Sequence, residues 1–279
     1  MKSGFVAVVG RPNVGKSTLV NALCGRKVSI VSDKPQTTRH RIMGVITRDD
    51  VQVVFVDTPG LHKPVTALGE RVNATALESL ADVDVQCIVI DASKKVGSGD
   101  EWVAKHLTMS EVVVVVNKID RVRPEELMAQ LQALAQWGAE SYFPISAKTG
   151  EGVEALRNHL LSLMQEGPFY FPEDAVSDIA EELWVAELVR EQLLAVTRDE
   201  VPYSIATRVT EWEWPRIKVE IIVERESQKG LVIGHKGEVL KEVGTRVREQ
   251  LPDGAYLELF VKVDKDWQRH PDRIERLGY

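Results

Sequence analysis

The run Gly10-Arg11-Pro12-Asn13-Val14-Gly15-Lys16-Ser17, with Thr18 after it, fits G-x-x-x-x-G-K-[ST]. It follows an apolar, strand-like stretch and opens a helical one, the setting that gives the pattern meaning. Its glycines let backbone N–H groups curl around a polyphosphate, and the helix N-terminus adds partial positive charge. Lys16 is placed to reach β- and γ-phosphates, and the Ser17 hydroxyl to hold Mg²⁺.

A phosphate loop alone does not choose between GTP and ATP. Asn117-Lys118-Ile119-Asp120, at the end of a later apolar run, supplies that choice. The Asp120 carboxylate can accept from N1–H and the 2-amino group of guanine, whereas adenine has an acceptor at the first place and no amine at the second. The Lys118 stem can cover one face of the base, and Asn117 can tie its loop to the phosphate loop. Ser146-Ala147-Lys148 follows the next apolar run, where a backbone N–H can donate to guanine O6. Asp57-Thr58-Pro59-Gly60 falls where Asp57 can hold Mg²⁺ through a water and the Gly60 N–H can bind the γ-phosphate. In the polar loop Lys34-Pro35-Gln36-Thr37-Thr38-Arg39, one of the adjacent threonines completes the Mg²⁺ shell, and Thr38 is favoured.

Six strand-like segments must carry these loops: 5–9, 42–47, 51–56, 85–90, 112–116 and 141–145. Helical patterns lie near 17–24, 68–80, 101–107, 125–136 and 153–164. Three of the strands are near-continuous Val/Ile runs, which implies burial on both faces. Alternation of this kind predicts an α/β fold with a doubly wound, mostly parallel sheet. Domain boundaries are expected at 1–166 for a nucleotide-binding domain, 167–176 for a proline-bearing linker and 177–279 for a smaller α+β module.

That module reads as a helix (177–197), two strands (203–210, 217–224), a helix–turn–helix (230–250) and a strand (256–263), in the order α-β-β-α-α-β. At its centre, Gly230-Leu231-Val232-Ile233-Gly234-His235-Lys236-Gly237 holds a G-x-x-G. Glycines without side chains admit a sugar–phosphate backbone closely, and the helix that follows attracts phosphate. The expected RNA contacts are Val232, Ile233, Gly234, His235, Lys236 and Gly237, sized for about four single-stranded nucleotides. Trp212 and Trp214 could offer a stacking face, although edge packing is favoured.

The chain has 279 residues with 35 basic and 42 acidic side chains, a net charge of −7. Neither half is basic overall, so a nucleic-acid site has to be small and focused; residues 229–248 carry five Lys/Arg against two Glu. With 44% hydrophobic and 28% charged residues, disorder is excluded. Two cysteines build no disulfide framework, no apolar run reaches the length of a membrane span, and no signal peptide is seen, which predicts a cytoplasmic protein. No His/Cys/carboxylate group has metal-ligand spacing, so no transition metal is expected.

The nucleotide motifs in this order resemble translation-factor-related GTPases, and with the G-x-x-G module, which resembles a type II KH domain, the chain is similar to the Era family of ribosome-assembly GTPases. The tract Val261-Lys262-Val263-Asp264-Lys265-Asp266-Trp267 and the closing Leu277-Gly278-Tyr279 also resemble that family. The resemblance implies slow GTP hydrolysis to GDP, binding of the 3′ end of 16S rRNA, assistance to 30S subunit maturation, peripheral association with the inner face of the cell membrane, and a monomer. Lys16, Thr38, Asp57, Gly60 and Asn13 are then the catalytic set. Leu61 stands where related GTPases often place a water-orienting glutamine, as in the hydrophobic-substituted subgroup, and His62 beside it could contact the water, although a solvent-exposed loop residue is favoured. Asn13 matches relatives that use K⁺ in place of an arginine finger, or else stabilises a turn. A GTPase of tRNA modification shares these motifs but carries other domains around them; an RNA-binding protein with a structural nucleotide is the non-enzyme alternative.

Overall fold

In the computed structural model, which describes residues 1–62, 64, 66–198 and 201–279, the Val/Ile runs form one buried sheet. Its strands are β1 (Lys2–Val9), β2 (Ile42–Arg48), β3 (Val51–Asp57), β4 (Val85–Asp91), β5 (Val112–Asn117), β6 (Ser141–Pro144) and the short β7 (Gln165–Glu166). The order is β2-β3-β1-β4-β5-β6, parallel throughout except that β2 runs antiparallel to β3. β7 adds an antiparallel pairing to the start of β1. Helices α1 (Lys16–Cys24), α2 (Ala67–Glu78), α3 (Ser98–Ala104), α4 (Pro124–Ala135) and α5 (Val153–Ser162) connect them.

Every residue of β5 is buried, and alternate ones serve opposite cores. Val113 and Val115 join Val6, Val8, Leu19, Leu156 and Leu160 on one side; Val112, Val114 and Val116 join Ala7, Val9, Ile88 and Leu134 on the other. A strand covered on both faces has no room for polar alternation, which is why these runs are so uniformly apolar. Each wholly buried valine or leucine contributes about 1.5–3 kcal/mol relative to exposure.

The segment after β7 is pinned along this first unit. Ser3 Oγ donates to the Pro168 carbonyl, the Tyr170 and Phe171 N–H groups donate to Gln52 Oε1, and Val45 N–H donates to Val176 O. Gln52 is completely buried, so this polar side chain acts as a clip for the strap's backbone.

The chain divides into two compact units, the second holding Ile179–Tyr279 together with Ser32–Thr37 and residues 66–71. Its elements are α6 (Glu181–Val196), α7 (Val201–Ser204), β8 (Ala206–Glu213), β9 (Arg216–Val223), α8 (Glu226–Ile233), α9 (Glu238–Arg248), β10 (Tyr256–Val263) and α10 (Pro271–Arg276). The three-stranded sheet runs β10-β9-β8, with β9 parallel to β10 and antiparallel to β8. Ile217, Val219, Ile221 and Val223 bury one face of β9; Arg216, Lys218, Glu220 and Ile222 project from the other.

Three element starts in the C-terminal module lie three or four residues from the sequence expectation. The strand expected from 203 begins at Ala206, because Tyr203 and Ser204 close a helical turn whose carbonyls accept from Gln268 Nε2 and Trp267 Nε1. The helix expected from 230 begins at Glu226, where Gln228 Oε1 accepts from the Glu224 and Arg225 N–H groups and caps it, leaving Gly230 inside the helix. The helix expected from 177 begins at Glu181, since Ser177 is bridged to Gly44 at the sheet edge. Leu156, wholly buried on α5, tests the core: Leu156→Ala should cost about 2–5 kcal/mol, read as a lower urea midpoint of the first unfolding transition.

Candidate functional site

The end of β1 turns into α1 through residues 10–15, and the turn depends on glycine. Gly15 has φ +99, and a Cβ there would lie 2.3 Å from Asn117 Nδ2; a Cβ on Gly10 would lie 2.6 Å from the Val89 carbonyl. The backbone can thus approach its neighbours, and a ligand, more closely than any side chain would allow. Val14 is buried and anchors the loop from beneath, while Pro12, Asn13 and Ser17 are half-buried. Thr18 is half-buried on the first turn of α1.

Lys16 is buried at that N-terminus, its Nζ donating to Gly10 O at 3.2 Å and Arg11 O at 2.9 Å. Burial pushes its ammonium down to about 8, against the pull of the Asp57 charge. Asp57, at the end of β3, is wholly buried, and among the described residues neither carboxylate oxygen has a hydrogen-bond partner in good geometry. Burial raises its carboxyl above the usual range, with Lys16 opposing. Ser17 Oγ and Thr38 Oγ1 sit 2.9 Å apart, and the nearby hydroxyls of Ser17, Ser29 and Thr38 pull the Asp57 carboxyl back down. A buried carboxylate without well-placed partners, next to these hydroxyls, fits a hard cation with oxygen ligands such as Mg²⁺. Thr37 is differently engaged, its hydroxyl donating to Lys34 O at 2.7 Å, which favours Thr38 as the ligand.

The D-x-x-G segment is knitted to β1. Thr58 Oγ1 donates to Val8 O at 2.8 Å, and a Cβ on Gly60 would meet Pro12 N at 2.8 Å. Pro59 is buried, and the Leu61 N–H reaches Gly10 O at 3.2 Å. Leu61 itself is 1% exposed in the core with Ala7 and Ile90. His62, expected in solvent, is half-buried with Nδ1 3.0 Å from Gly60 O.

The base-side motifs converge on the same loop. Asn117 Nδ2 donates to Val14 O and its Oδ1 accepts from the Ala147 N–H, both at 2.9 Å. Lys118, at φ +68, donates from Nζ to Asn13 O at 2.5 Å and pairs with Asp91 Oδ2 at 2.7 Å. Asp120 is exposed and accepts from the buried Ser146 hydroxyl at 2.6 Å; Lys148 is exposed.

Two acids missing from the sequence reading brace the site. Burial alone would raise the Asp91 carboxyl, yet hydrogen bonds from Lys118 and Ser93 hold it below the usual range. Asp100, on α3, clamps Arg11 at 2.9 Å. Asp91 was legible as the acid closing the Val85–Asp91 strand, beside the Asn117 end of β5; Asp100 gave no such signal.

In the second unit, Gly234 has φ +75 and a Cβ there would lie 2.5 Å from Val239 Cγ2, so this glycine is required by the turn. Lys236, φ +50, and Gly237, φ +81, complete a loop that ends on the first turn of α9. His235 and Lys236 are exposed and Ile233 is half-buried. Val232 is wholly buried and supports the loop from below, which corrects its expected place among the RNA contacts. Leu231, 61% exposed beside it, takes the outward place that the sequence reading missed, because α8 starts a turn earlier. Trp212 is half-buried and Trp214 half-exposed.

With this geometry in hand, the comparisons with known proteins are consistent from end to end. The family model of 50S ribosome-binding GTPases matches residues 5–118, and that of KH domains residues 200–268. The GTPase Era of Mycobacterium tuberculosis strain H37Rv is 45% identical over 296 residues, covering 99% of this chain and 98% of its own. The GTPase Era of a Nocardioides species is 44% identical, covering 100% and 96%. Among solved structures, an Aquifex aeolicus Era variant bound to GDP.AlF4⁻ superposes with a TM-score of 0.94 at 40% identity, covering 100% of this chain and 99% of that one. Era in complex with MgGDPNP and nucleotides 1506–1542 of 16S ribosomal RNA gives a TM-score of 0.95 at 40% identity over the same shares.

Asp120 gives the direct check on the base site. Asp120→Asn keeps an acceptor for the Ser146 hydroxyl but replaces a base-facing acceptor with a donor. Preference should move from GTP towards xanthosine triphosphate by at least about a thousandfold in the ratio of affinities, measured by competition binding. An unchanged ratio would remove Asp120 from the base site.

Proposed function

We propose that this chain, which belongs to the Era family of GTPases, is a GTP-hydrolysing switch that binds the 3′ end of 16S rRNA through its KH module and assists 30S subunit maturation. The observation that carries this reading is full-length similarity, over the nucleotide motifs and the KH module together, to an Era holding both MgGDPNP and a 16S rRNA segment. An RNA-modifying relative with other domains around its G domain lacks that pairing.

Ser17 and Thr38 would ligate Mg²⁺ directly and Asp57 through a water, neutralising charge on the phosphates as they separate. Lys16 would exchange its loop carbonyls for phosphate oxygens, and the Gly60 N–H would meet the γ-phosphate. With Leu61 in the core, no side chain at that position orients the attacking water, so intrinsic turnover is slow. Asn13, whose carbonyl accepts from Lys118, would supply its side chain to K⁺ as the charge substitute that the family resemblance implies. The G-x-x-G loop and the start of α9 would take the RNA, with Gly234 and Gly237 allowing close approach, half-buried Ile233 offering an apolar contact, and His235 and Lys236 reaching phosphates. Action as a monomer in the cytoplasm, with peripheral attachment to the inner membrane face, rests on the family resemblance. Among the described residues no helix is long and apolar enough to cross a membrane.

A 16S 3′-end oligonucleotide should bind at least about fivefold more tightly with GTP analogue than with GDP, the low end of a typical coupling between sites. Equal affinities would instead make the nucleotide structural. Turnover should rise in K⁺ relative to Na⁺ and again with 30S subunits; a fast rate needing neither would overturn the proposed mechanism.

Gly237 gives a cleaner test of the RNA loop than Gly234, since a Cβ there meets nothing within 4 Å and Asp tolerates a left-handed backbone. Gly237→Asp should weaken RNA binding about tenfold and leave GDP affinity unchanged, both read by fluorescence titration. Undiminished RNA binding would place the contact elsewhere.

A further inference from the structure

The face of the KH sheet that carries Arg216, Lys218 and Glu220 ends in a cleft of about 340 Å³ near α10. Four cations line it, Arg208, Lys262, Arg273 and Arg276, with two carboxylates, Glu220 and Asp264. This is a local excess of two positive charges in residues 181–279, which hold 16 basic against 20 acidic side chains. The carboxylates are engaged in holding the cations. Glu220, 5% exposed, accepts from Arg208 Nε at 2.6 Å and lies 3.7 Å from Lys262 Nζ; Asp264 pairs with Arg273, which also donates to Lys265 O. Among the described residues Arg276 has no ion-pair or hydrogen-bond partner, and Arg208 and Arg273 each keep donors in reserve.

We propose that this cleft is a binding site for a phosphate monoester. The residual charge of two matches a phosphoryl dianion, and guanidinium forks presented from β8, from α10 and beside the Lys262 ammonium suit a tetrahedral group with three terminal oxygens. A carboxylate would use one fork and leave the other cations uncompensated. The volume is at the lower end of small-ligand sites and accommodates a sugar phosphate. Its source is either a free sugar or nucleoside phosphate or the 5′-phosphorylated end of an RNA. The site is separate from the phosphate loop and from the G-x-x-G loop, and the proposal does not depend on the GTPase reading.

The test uses the full chain with its nucleotide site saturated by Mg²⁺ and a GTP analogue. Calorimetry should detect ribose 5-phosphate binding to the wild type, about tenfold weaker in Arg276→Glu, the loss of one charge-assisted contact. Arg123→Glu, an equal charge change on an exposed residue of the first unit, should bind like the wild type. Lys262→Gln removes a second cation and should also weaken binding, which keeps the test decisive if Arg276→Glu fails to fold. Unaltered GDP affinity and thermal midpoint would show that each variant is intact. An RNA oligonucleotide with and without a 5′ phosphate identifies the source: a gap in affinity that closes in Arg276→Glu points to an RNA end, and no gap points to a free phosphate ester. No ribose 5-phosphate binding by the wild type, or binding indifferent to both Arg276→Glu and Lys262→Gln, would overturn the proposal.

Discussion

One buried amide holds the nucleotide loops in register. Asn117, 2% exposed, satisfies the Val14 carbonyl of the phosphate loop and the Ala147 N–H of the base loop with its two ends. Three loops that are distant in sequence therefore share one rigid side chain, and removing it would strand a buried acceptor and a buried donor at about 1–3 kcal/mol each. Lys118 runs alongside and repeats the tie through Asn13 O and Asp91. Such staples work only because the strands beneath do not move: β1, β4 and β5 are adjacent and parallel, and their side chains are buried on both faces. Sheet burial thus sets loop geometry, and loop geometry sets which base fits.

The same rigidity sustains an electrostatic arrangement that would not survive in water. Lys16 and Asp57 are both buried and opposite in charge, yet burial shifts each towards its neutral form. Two buried, opposite charges in this state are weak support for the fold. It is well suited to gaining charge partners: phosphate oxygens favour the ammonium, and a divalent cation favours the carboxylate. Free energy withheld from folding is then available to binding, which is the usual relation between strained electrostatics and function.

The fold and the nucleotide motifs were largely legible because their causes are local. A strand buried on both faces must be apolar along its whole length, and a loop that touches phosphate must hold glycine and lysine at fixed offsets. What escaped was set by long-range contacts. Asp100 is recognisable only once α3 brings it against Arg11. The start of β8 moved because carbonyls of Tyr203 and Ser204 are claimed by Gln268 and Trp267, more than 60 residues later in the chain. Val232 looked like a loop contact until a capped α8 rotated it into the core and turned Leu231 outward. Leu61 stands where related GTPases often place a water-orienting glutamine, and its burial among Ala7 and Ile90 makes the hydrocarbon side chain there a consequence of packing.

Charge in the KH module follows a comparable logic at the surface. A module with more acids than bases cannot hold polyanions by its overall field, so attraction has to be built locally from oriented donors. The G-x-x-G loop offers glycines, whose lack of side chains leaves the start of α9 open to close approach. The sheet face builds attraction with the help of carboxylates: Glu220 sits between Arg208 and Lys262 and fixes both, so that its own negative charge is spent on positioning rather than repulsion. Acidic residues are thus part of the binding surface, and a count of net charge alone would have assigned this face no role at all.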